Sequence, residues 1–244
     1  MIGMMDWGIG GLSVYRALRE RGCTEDVVYH SDSGFTPYGK LSAAELRDRL
    51  VHVGRTLEAR GARCVVAACH AASAALVGDE EIIAGLRFTG LAPAVLQCAR
   101  QARASRVGVI GGDLTIASRM YEARICVPGK HFRFASAQPL SAFVESGEID
   151  GPRVEAAILT VLNALDAVDA VAAPIDGVLL ACTHYPALTA TIRALRPELE
   201  ILDPSGFVLD DLGLPGQGTL EFQTSGSVEE SAVAARRAFG LEIT

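Results

Sequence analysis

The fold class is indicated first by residues 2–11, which read Ile2-Gly3-Met4-Met5-Asp6-Trp7-Gly8-Ile9-Gly10-Gly11. Here an apolar strand runs into a glycine-rich turn, and residues 106–113, Arg106-Val107-Gly108-Val109-Ile110-Gly111-Gly112-Asp113, repeat the pattern. Downstream of each copy a buried strand ends in Ala-Cys, at Cys69 and at Cys182. Because ligands bind at the carboxyl ends of strands in open α/β sheets, the repetition predicts two similar α/β halves with one thiol on each side of a cleft.

Short apolar segments alternate with longer helical ones along most of the chain. The predicted strands are Ile2–Met5, Val27–Ser31, Cys64–Ala68, Arg106–Ile110, Arg133–Ala137, Val178–Ala181 and Glu200–Leu202. The predicted helices are Leu12–Arg21, Ala43–Arg60, Ala92–Ala104, Arg153–Val168 and Leu188–Leu195. The strands near Val65, Val107 and Leu179 are apolar on consecutive residues, which is typical of strands covered on both faces. This βαβα order predicts an α/β fold with mainly parallel sheets.

Composition and charge exclude several classes of function. The 244 residues are 50% hydrophobic, enough for one large domain or two ordinary ones, each with a core. The net charge of −7 argues against nucleic-acid and membrane-surface partners, which both need basic patches. Arg100, Arg103 and Arg106 lie at helical spacing and are interpreted as a solvated helix face rather than an anion site. No apolar run approaches the roughly 20 residues that span a bilayer, and no secretory signal is recognised, so a cytoplasmic protein is expected.

The cysteines are the first candidates for chemistry. None of the six forms a C-x-x-C pair, so no structural zinc site or other metal centre is predicted, and disulfides are not expected. Cys69 is followed by small residues that open a helix. A helix N-terminus would lower the pKa of its thiol, but a buried inert cysteine explains the position equally well. Cys182 leads Cys-Thr-His-Tyr-Pro, in which His184 either shares a proton with a thiol or substrate carboxylate or has a structural role.

Two other segments allow both a structural and a functional interpretation. Asp6 either caps the helix that begins at Leu12 or directs its carboxylate into the cleft. Residues 31–40 form a polar turn with a rigid Pro-Tyr-Gly, which is either an ordinary connection or a substrate-binding loop above the strand ends. Residues 8–11 lack the third glycine and the downstream acid of a dinucleotide site, so nucleotide binding is not favoured.

Six segments match the motifs of a known family in order along nearly the whole chain. They are Asp6–Val14 for D-S-G-x-G-G-L-[ST]-V, Asp32–Gly39 for D-T-x-x-x-P-Y-G, Cys69–Ser73 for C-N-T-A-S, Thr115 with Ser118 and Tyr121 for T-x-x-S-x-x-Y, Phe143–Gly147 for L-V-E-x-G, and Cys182–Pro186 for C-T-H-Y-P. The chain therefore resembles the glutamate racemase family, within the aspartate/glutamate racemase superfamily. The last segment equals its family motif and is the most specific of the six.

The resemblance implies two pseudo-symmetric α/β domains with the active site in the cleft between them. The first domain would comprise residues 1–90 completed by the C-terminal residues 205–244, and the second would comprise residues 91–204. The implied reaction uses neither pyridoxal phosphate nor any other cofactor. One cysteine thiolate removes the α-proton of an amino acid, and the other thiol protonates the opposite face.

The resemblance also implies a role for each catalytic residue. Cys69 and Cys182 are the acid/base pair, Asp6 assists Cys69, and His184 and Glu145 assist Cys182. Thiols suit this chemistry because their pKa lies close enough to neutrality to serve as acid or base. The site must also stabilise a developing carbanion with pre-aimed donors, for which Thr183, Ser73 and the N–H groups at helix starts are candidates.

Several positions implied to bind substrate depart from the family pattern. The implied substrate-binding residues are Trp7, Pro37, Tyr38, Gly39, His70, Ala71, Thr115 and Thr183. Trp7 stands where the family has Ser, His70-Ala71 where it has Asn-Thr, and Phe35 near the family's Arg. Each donor lost from a buried charge would cost glutamate about 1–3 kcal/mol of affinity.

Three functions therefore remain open. The first is amino-acid racemisation, with glutamate as the family's substrate and D-glutamate supply for the cell wall as the implied role. The second is the same two-cysteine chemistry on a bulkier or less polar carbon acid. The third is a binding or regulatory protein that has lost turnover. In each case the expected partner is a small molecule, namely an amino acid or related carboxylate, and a homodimer is left open.

Overall fold

The computed structural model describes residues 1–167, 173–208 and 218–243. Its strands are β1 (Ile2–Asp6), β2 (Val27–Ser31), β3 (Cys64–Ala67), β4 (Glu80–Ile83), β5 (Leu86–Thr89), β6 (Arg106–Gly111), β7 (His131–Ser136), β8 (Gly177–Ala181), β9 (Glu200–Leu202) and β10 (Leu220–Thr224). Its α-helices are α1 (Leu12–Glu20), α2 (Ala43–Ala59), α3 (His70–Ala74), α4 (Ala92–Gln101), α5 (Asp113–Ala117), α6 (Met120–Arg124), α7 (Gln138–Glu145), α8 (Pro152–Ala167), α9 (Thr189–Leu195) and α10 (Val228–Phe239). Short 3-10 helices cover Tyr38–Lys40, Tyr185–Leu188 and Pro204–Phe207.

The strands form two sheets that share an internal order. The first sheet runs β10-β2-β1-β3-β5-β4 and the second runs β7-β6-β8-β9. The described strand pairs are parallel apart from β4 with β5. The order β2-β1-β3-β5 thus corresponds strand for strand to β7-β6-β8-β9. In this correspondence the glycine-rich turns follow β1 and β6, and the cysteines follow β3 and β8. The predicted α/β fold with mainly parallel sheets is confirmed.

Burial on both faces explains the continuous apolar runs. Every residue of β1, β2 and β8 is buried. One hydrophobic cluster joins residues of α1, α7, α8 and α10 to strands of both sheets, while separate clusters cover the remaining face of each sheet. The shared cluster holds the two sheets in a defined relation, so their carboxyl edges meet across a cleft.

The sequence did not predict the hairpin of β4 and β5 or the strand β10. The hairpin turns through Ala84-Gly85, with φ angles of 50° and 82° that belong to a primed turn. Such turns usually carry Asn-Gly or Asp-Gly. Here the first position is Ala84, which is uncommon at positive φ, so the sequence carried no signal for the turn. The helices α6, α7 and α10 were likewise not predicted, whereas the helix expected after Cys69 is observed as α3.

The predicted helix of residues 92–104 is too long, so Arg103 and Arg106 do not lie on a helix, although Arg100 and Arg103 are exposed as predicted. The helix ends at Gln101, because the Glu200 carboxylate accepts the next free N–H groups, from Arg103 at 2.8 Å and Ala104 at 2.6 Å. Arg103 also lies 3.5 Å from Glu200 as an ion pair, and Arg106 begins β6 and pairs with Asp176 at 2.9 Å. The predicted helix of residues 153–168 is observed as α8, and Val168 lies outside the described residues.

The C-terminal residues join the first sheet. β10 pairs in parallel with β2 over Leu220–Thr224, and α10 packs against α1 and α7. Residues 209–217 and 244 of the predicted first domain lie outside the described residues, and the division into two domains stays a prediction. Among the described residues, no helix combines the length and apolarity that crossing a bilayer requires.

Candidate active site

A cavity of about 560 Å³ lies between the carboxyl edges of the two sheets. One wall comes from the turn after β1, the Pro-Tyr-Gly segment after β2 and the start of α3. The other wall comes from α5, the start of α7 and the segment after β8. Cys69 lies in the first wall and Cys182 in the second, so the two thiols face the same cavity from different sheets.

Cys69 caps the N-terminus of α3 and is only 7% exposed. Burial raises the pKa of its thiol well above the usual value, the neighbouring Asp6 raises it further, and the Ala72 N–H opposes them. The expected lowering of this pKa is therefore wrong, because one helix N–H is outweighed by desolvation and an adjacent acid. Cys69 holds its proton in the resting protein.

The buried Asp6 carboxylate is held by donors on both oxygens. Oδ1 accepts from the Trp7 N–H at 2.8 Å, and Oδ2 accepts from the Gly11 N–H at 2.8 Å and from the Thr183 hydroxyl at 3.2 Å. Gly11 directly precedes α1, so Asp6 organises the start of that helix and also faces the cavity. Burial raises the pKa of Asp6, and the positive charge of His184 opposes that rise.

Cys182 has a different environment, built around His184. The Cys182 Sγ lies 3.6 Å from Nδ1 of His184, and Nε2 of the same ring lies 2.5 Å from Oε1 of Glu145. Burial alone would lower the pKa of His184, but Cys182 and Glu145 together raise it well above the ordinary value. Glu145 also accepts the Ile9 N–H at 2.7 Å, which ties this group to the turn after β1. His184 is therefore an imidazolium that contacts the Cys182 sulfur on one side and the Glu145 carboxylate on the other.

Two glycines of that turn are required by this close approach. A Cβ at Gly8 would overlap the Glu145 carboxylate, and a Cβ at Gly10 would overlap the His184 ring. The turn after β1 therefore leaves space for the Glu145 and His184 side chains of the other wall.

The loop after β2 is clamped to α2 beneath the cavity. The fully buried Asp32 accepts from Arg49 Nε at 2.7 Å, from Arg49 Nη2 at 2.5 Å and from the Tyr38 hydroxyl at 2.9 Å. Burial alone would raise the pKa of Asp32, but these donors hold it well below the usual range. The Arg49 guanidinium also lies 4.3 Å from the Phe35 ring centroid, and Trp7 Nε1 donates to the Phe35 carbonyl at 3.0 Å. Tyr38 and Trp7 are thereby held in the cavity wall.

Comparison with known proteins places this chain in a family. The family model described as Asp/Glu/hydantoin racemase matches residues 2–206. Glutamate racemase from Beutenbergia cavernae is 36% identical over 206 residues, covering 81% of this chain and 68% of that protein. Glutamate racemase from Saccharopolyspora erythraea is 32% identical, covering 98% and 92%.

This chain belongs to the Asp/Glu/hydantoin racemase family. It is therefore an isomerase, a racemase of the kind that acts on amino acids and related compounds, and the resemblance found in its sequence is confirmed. A solved glutamate racemase from Thermus thermophilus, in complex with β-chloro-D-alanine, superposes with a TM-score of 0.78 at 27% identity, covering 97% of this chain and 91% of that one. A glutamate racemase isoform from Bacillus anthracis superposes with a TM-score of 0.83 at 25% identity, covering 100% and 95%.

The structure places most of the predicted site residues of this racemase around the cavity. The predicted substrate-binding residues all line it: Trp7, Pro37, Tyr38, Gly39, His70, Ala71, Thr115 and Thr183. Of the predicted catalytic residues, Cys69, Cys182, Asp6 and His184 line it, and Glu145 lies behind His184. Their roles in catalysis stay predictions.

Much of the second-sheet wall was not predicted. The additional lining residues of this wall are Gly112, Asp113, Leu114, Ser136, Gln138, Pro139, Ser141 and Ala142, while Lys40 of the loop at residues 31–40 lines the other wall. The repeat of the glycine-rich turn was the available signal, because it makes Asp113 the counterpart of Asp6. Ser73, a candidate carbanion donor, does not line the cavity: its hydroxyl donates to the Cys69 carbonyl at 2.8 Å and accepts from the Leu91 N–H at 3.0 Å. Within the described chain, no three His, Cys, Asp or Glu side chains are grouped to hold a metal ion.

Proposed function

We propose that this racemase inverts the α-carbon of an amino acid by proton transfer between Cys69 and Cys182. The observation that carries the proposal is the pair of thiols on two walls of one cavity with unlike neighbours. Cys69 is buried beside Asp6 and keeps its proton, whereas Cys182 contacts an imidazole that Glu145 supports. Racemisation needs this combination of an acid on one face of the substrate and a base on the other.

The geometry supports Cys182 as the base and Cys69 as the acid in the first turnover. The His184 imidazolium pairs with Cys182 as a thiolate, and this thiolate removes the α-proton of the substrate and becomes a thiol. Cys69 then delivers its own proton to the opposite face, which leaves Cys69 as thiolate and Cys182 as thiol. The reverse reaction starts from that state with the roles exchanged, so atoms and charge balance over the cycle.

The deprotonated substrate needs stabilisation, because the α-proton of an amino acid is only weakly acidic. Negative charge moves onto the substrate carboxylate, where donors already in place in a dry cavity are most effective. The backbone N–H groups that follow the two cysteines supply such donors, whereas the Thr183 hydroxyl already donates its proton to Asp6. The shared core of the two sheets keeps these groups in position between turnovers.

We propose glutamate as the first substrate to test, with supply of D-glutamate for peptidoglycan as the role. The curated relatives named above are glutamate racemases, and the Pro-Tyr-Gly segment and Thr183 line the cavity. One observation favours a less polar or bulkier amino acid as the second candidate. Trp7, Ala71 and Leu114 contribute apolar surface to the same cavity.

The proposal is tested by solvent exchange at the α-carbon. Purified protein without added cofactor is incubated in D₂O with each enantiomer of glutamate and of a panel of common amino acids. We expect deuterium at the α-position, detected by mass spectrometry, together with appearance of the opposite enantiomer on a chiral column. Absence of exchange for every member of the panel would contradict the proposal and favour the third alternative, a binding or regulatory protein that has lost turnover.

Variants of the cysteines test the two-base assignment directly. Cys69→Ser and Cys182→Ser should each abolish racemisation, because a serine hydroxyl is a far weaker acid than a thiol. The exposed Cys126 lies outside the cavity, so Cys126→Ser is the matched control and should keep the full rate. Full activity in either Cys69→Ser or Cys182→Ser would refute the assignment of these two cysteines as the acid/base pair.

The choice of substrate is tested by restoring the family residues. If Trp7 obstructs glutamate, the triple variant Trp7→Ser, His70→Asn, Ala71→Thr should raise glutamate turnover relative to that of apolar amino acids. The ratio of kcat/KM for glutamate and for the best apolar substrate measures the change. An unchanged ratio would show that these three positions do not set the substrate.

A homodimer and a cytoplasmic location also stay proposals. The resemblance to the family motivates them. Sedimentation velocity would give the mass in solution, and cell fractionation would give the location.

A further inference from the structure

We propose that His70 donates a hydrogen bond to the substrate carboxylate from a fixed Nε2–H tautomer, which Tyr121 holds in place. The inference rests on the proposed racemase function and adds to it a charge-stabilising group beside Cys69. In the family pattern this position is Asn, so the imidazole is a feature of this chain.

The tautomer follows from the hydrogen bond between two buried rings. Tyr121 lies in α6 and is 1% exposed, and its hydroxyl lies 2.5 Å from Nδ1 of His70. Among the described residues this nitrogen is the one hydrogen-bond partner of the Tyr121 hydroxyl. A buried O–H without an acceptor is costly, so the phenol donates and Nδ1 accepts. A neutral imidazole that accepts at Nδ1 carries its proton on Nε2.

The Nε2–H group of His70 faces the cavity. Among the described residues, the side-chain nitrogens that are shielded from solvent and lack a hydrogen-bond partner belong to Arg19 and His30. Nε2 of His70 is not one of them, and it makes no hydrogen bond to the described protein. Because His70 lines the cavity directly after Cys69, its free donor is available to a bound substrate.

Burial keeps this donor neutral. Desolvation lowers the pKa of His70 to about 3, and no charged neighbour offsets the effect. The ring therefore neither gains nor loses a proton across the working range of the thiols. It can donate a hydrogen bond without entering the proton exchange between Cys69 and Cys182.

The Nε2–H donor of His70 determines which kind of substrate group can bind to it. Nε2–H offers one donor and no acceptor, whereas an Asn amide offers both. An ammonium group finds no partner here, but a carboxylate oxygen does. Loss of the α-proton moves negative charge onto that carboxylate, so the hydrogen bond strengthens as the reaction proceeds.

Nitrogen NMR of the resting protein tests the tautomer without turnover. Protein labelled with [¹⁵N]histidine is recorded from pH 5.5 to 8, and the resonance lost in His70→Leu identifies this ring among the five histidines. We expect a pure Nε2–H pattern at every pH in that range. An Nδ1–H tautomer or an imidazolium would overturn the inference. In Tyr121→Phe the same ring should show a mixture of both tautomers.

Kinetics of exchange test the role in catalysis. With the substrate identified by the deuterium panel, His70→Leu should lower kcat about 100-fold, the usual effect of removing one such donor. His70→Asn should recover most of that loss because its amide also donates. Tyr121→Phe should lower kcat about tenfold, as loss of an orienting partner does. The exposed His52 lies outside the cavity, so His52→Gln should keep the full rate.

The outcomes separate this inference from the proposed function. Absence of exchange in the unmodified protein refutes the racemase proposal. Exchange with an Nδ1–H tautomer, or an unchanged kcat in His70→Leu, refutes only the role of His70.

Discussion

Cys69 and Cys182 follow equivalent strands, β3 and β8, yet they meet different neighbours. Cys69 is buried against Asp6, and both effects raise the pKa of its thiol. Cys182 instead contacts the His184 imidazole, whose positive charge Glu145 supports. At the scale of single residues, a pseudo-symmetric fold thus gives its two strand-end thiols unlike neighbours.

The first prediction concerns Glu145, which contacts Nε2 of His184. Glu145→Gln should lower the pKa of His184, because the imidazolium loses its carboxylate while the amide oxygen still accepts the Ile9 N–H. Because its pKa is raised, His184 stays protonated until the pH rises through that pKa. In the variant the pKa is lower, so His184 loses this proton at lower pH. We expect kcat to fall at least about tenfold and the alkaline limb of the pH–rate profile to move to lower pH.

The matched control for this prediction is Glu148→Gln. Glu148 is a nearby carboxylate whose partners are Ser146 and Arg153, outside the cavity. Its variant should leave the pH–rate profile in place. A profile for Glu145→Gln that matches the unmodified protein would contradict the proposed His184–Glu145 pair.

At the scale of elements, the loop after β2 depends on α2 for its position. Asp32 is fully buried at the start of the loop and is compensated mainly by the bidentate Arg49. Ser225, which follows β10, donates to the same carboxylate at 3.0 Å. The clamp therefore joins a helix, a loop and the C-terminal residues beneath the Tyr38 side of the cavity.

The second prediction is that Arg49→Met destabilises the fold. Removing one partner of a buried ion pair leaves Asp32 uncompensated and should cost about 3 kcal/mol, which thermal unfolding would show as a lower Tm. The control Arg119→Met removes an exposed pair with Glu122 and should cost less than about 1 kcal/mol. Equal effects of the two variants would contradict the clamp.

The same clamp has a defined pH dependence. The pKa of Asp32 is lowered in the folded state, so its stabilisation is present above the unfolded pKa of about 4 and is lost as the pH falls. The difference in unfolding free energy between the unmodified protein and Arg49→Met should therefore shrink in acid. Urea titrations at neutral pH and in acid measure it.

At the scale of the whole molecule, the C-terminal residues reach the active-site turn. Phe222 of β10 stacks on Tyr29 with ring centroids 5.5 Å apart, and the Tyr29 hydroxyl donates to the Gly8 carbonyl at 2.7 Å. We propose on this basis that residues 205–244 complete a first domain with residues 1–90, and that residues 91–204 form the second. The cleft then depends on chain segments far apart in sequence.

The third prediction tests that dependence. Phe222→Ala should lower the free energy of unfolding by about 3 kcal/mol through loss of buried contacts, as measured by urea unfolding. It should also lower the exchange rate, because Tyr29 loses its packing partner. Val233→Ala on the exposed face of α10 is the control and should change neither quantity. Normal stability in Phe222→Ala would contradict the proposed role of β10.

The sequence by itself determined the elements whose physics is local. Continuous apolar runs predicted β3, β6 and β8, because strands covered on both faces need no polar side. The repeated glycine-rich turns and the two Ala-Cys ends predicted thiols at the strand ends that face one cavity. The Cys-Thr-His-Tyr-Pro motif placed His184 beside Cys182.

Only the tertiary structure decided what depends on contacts between distant residues. The pKa of Cys69 rises because burial and Asp6 outweigh the helix N-terminus, and no local pattern reports that balance. The second-sheet wall around Asp113 and the pairing of His70 with Tyr121 likewise arise from chain segments that meet only after folding. Side-chain charge and tautomer are set by desolvation and by neighbours in space, which is why the sequence predicted that the two cysteines face one cavity but not their protonation states.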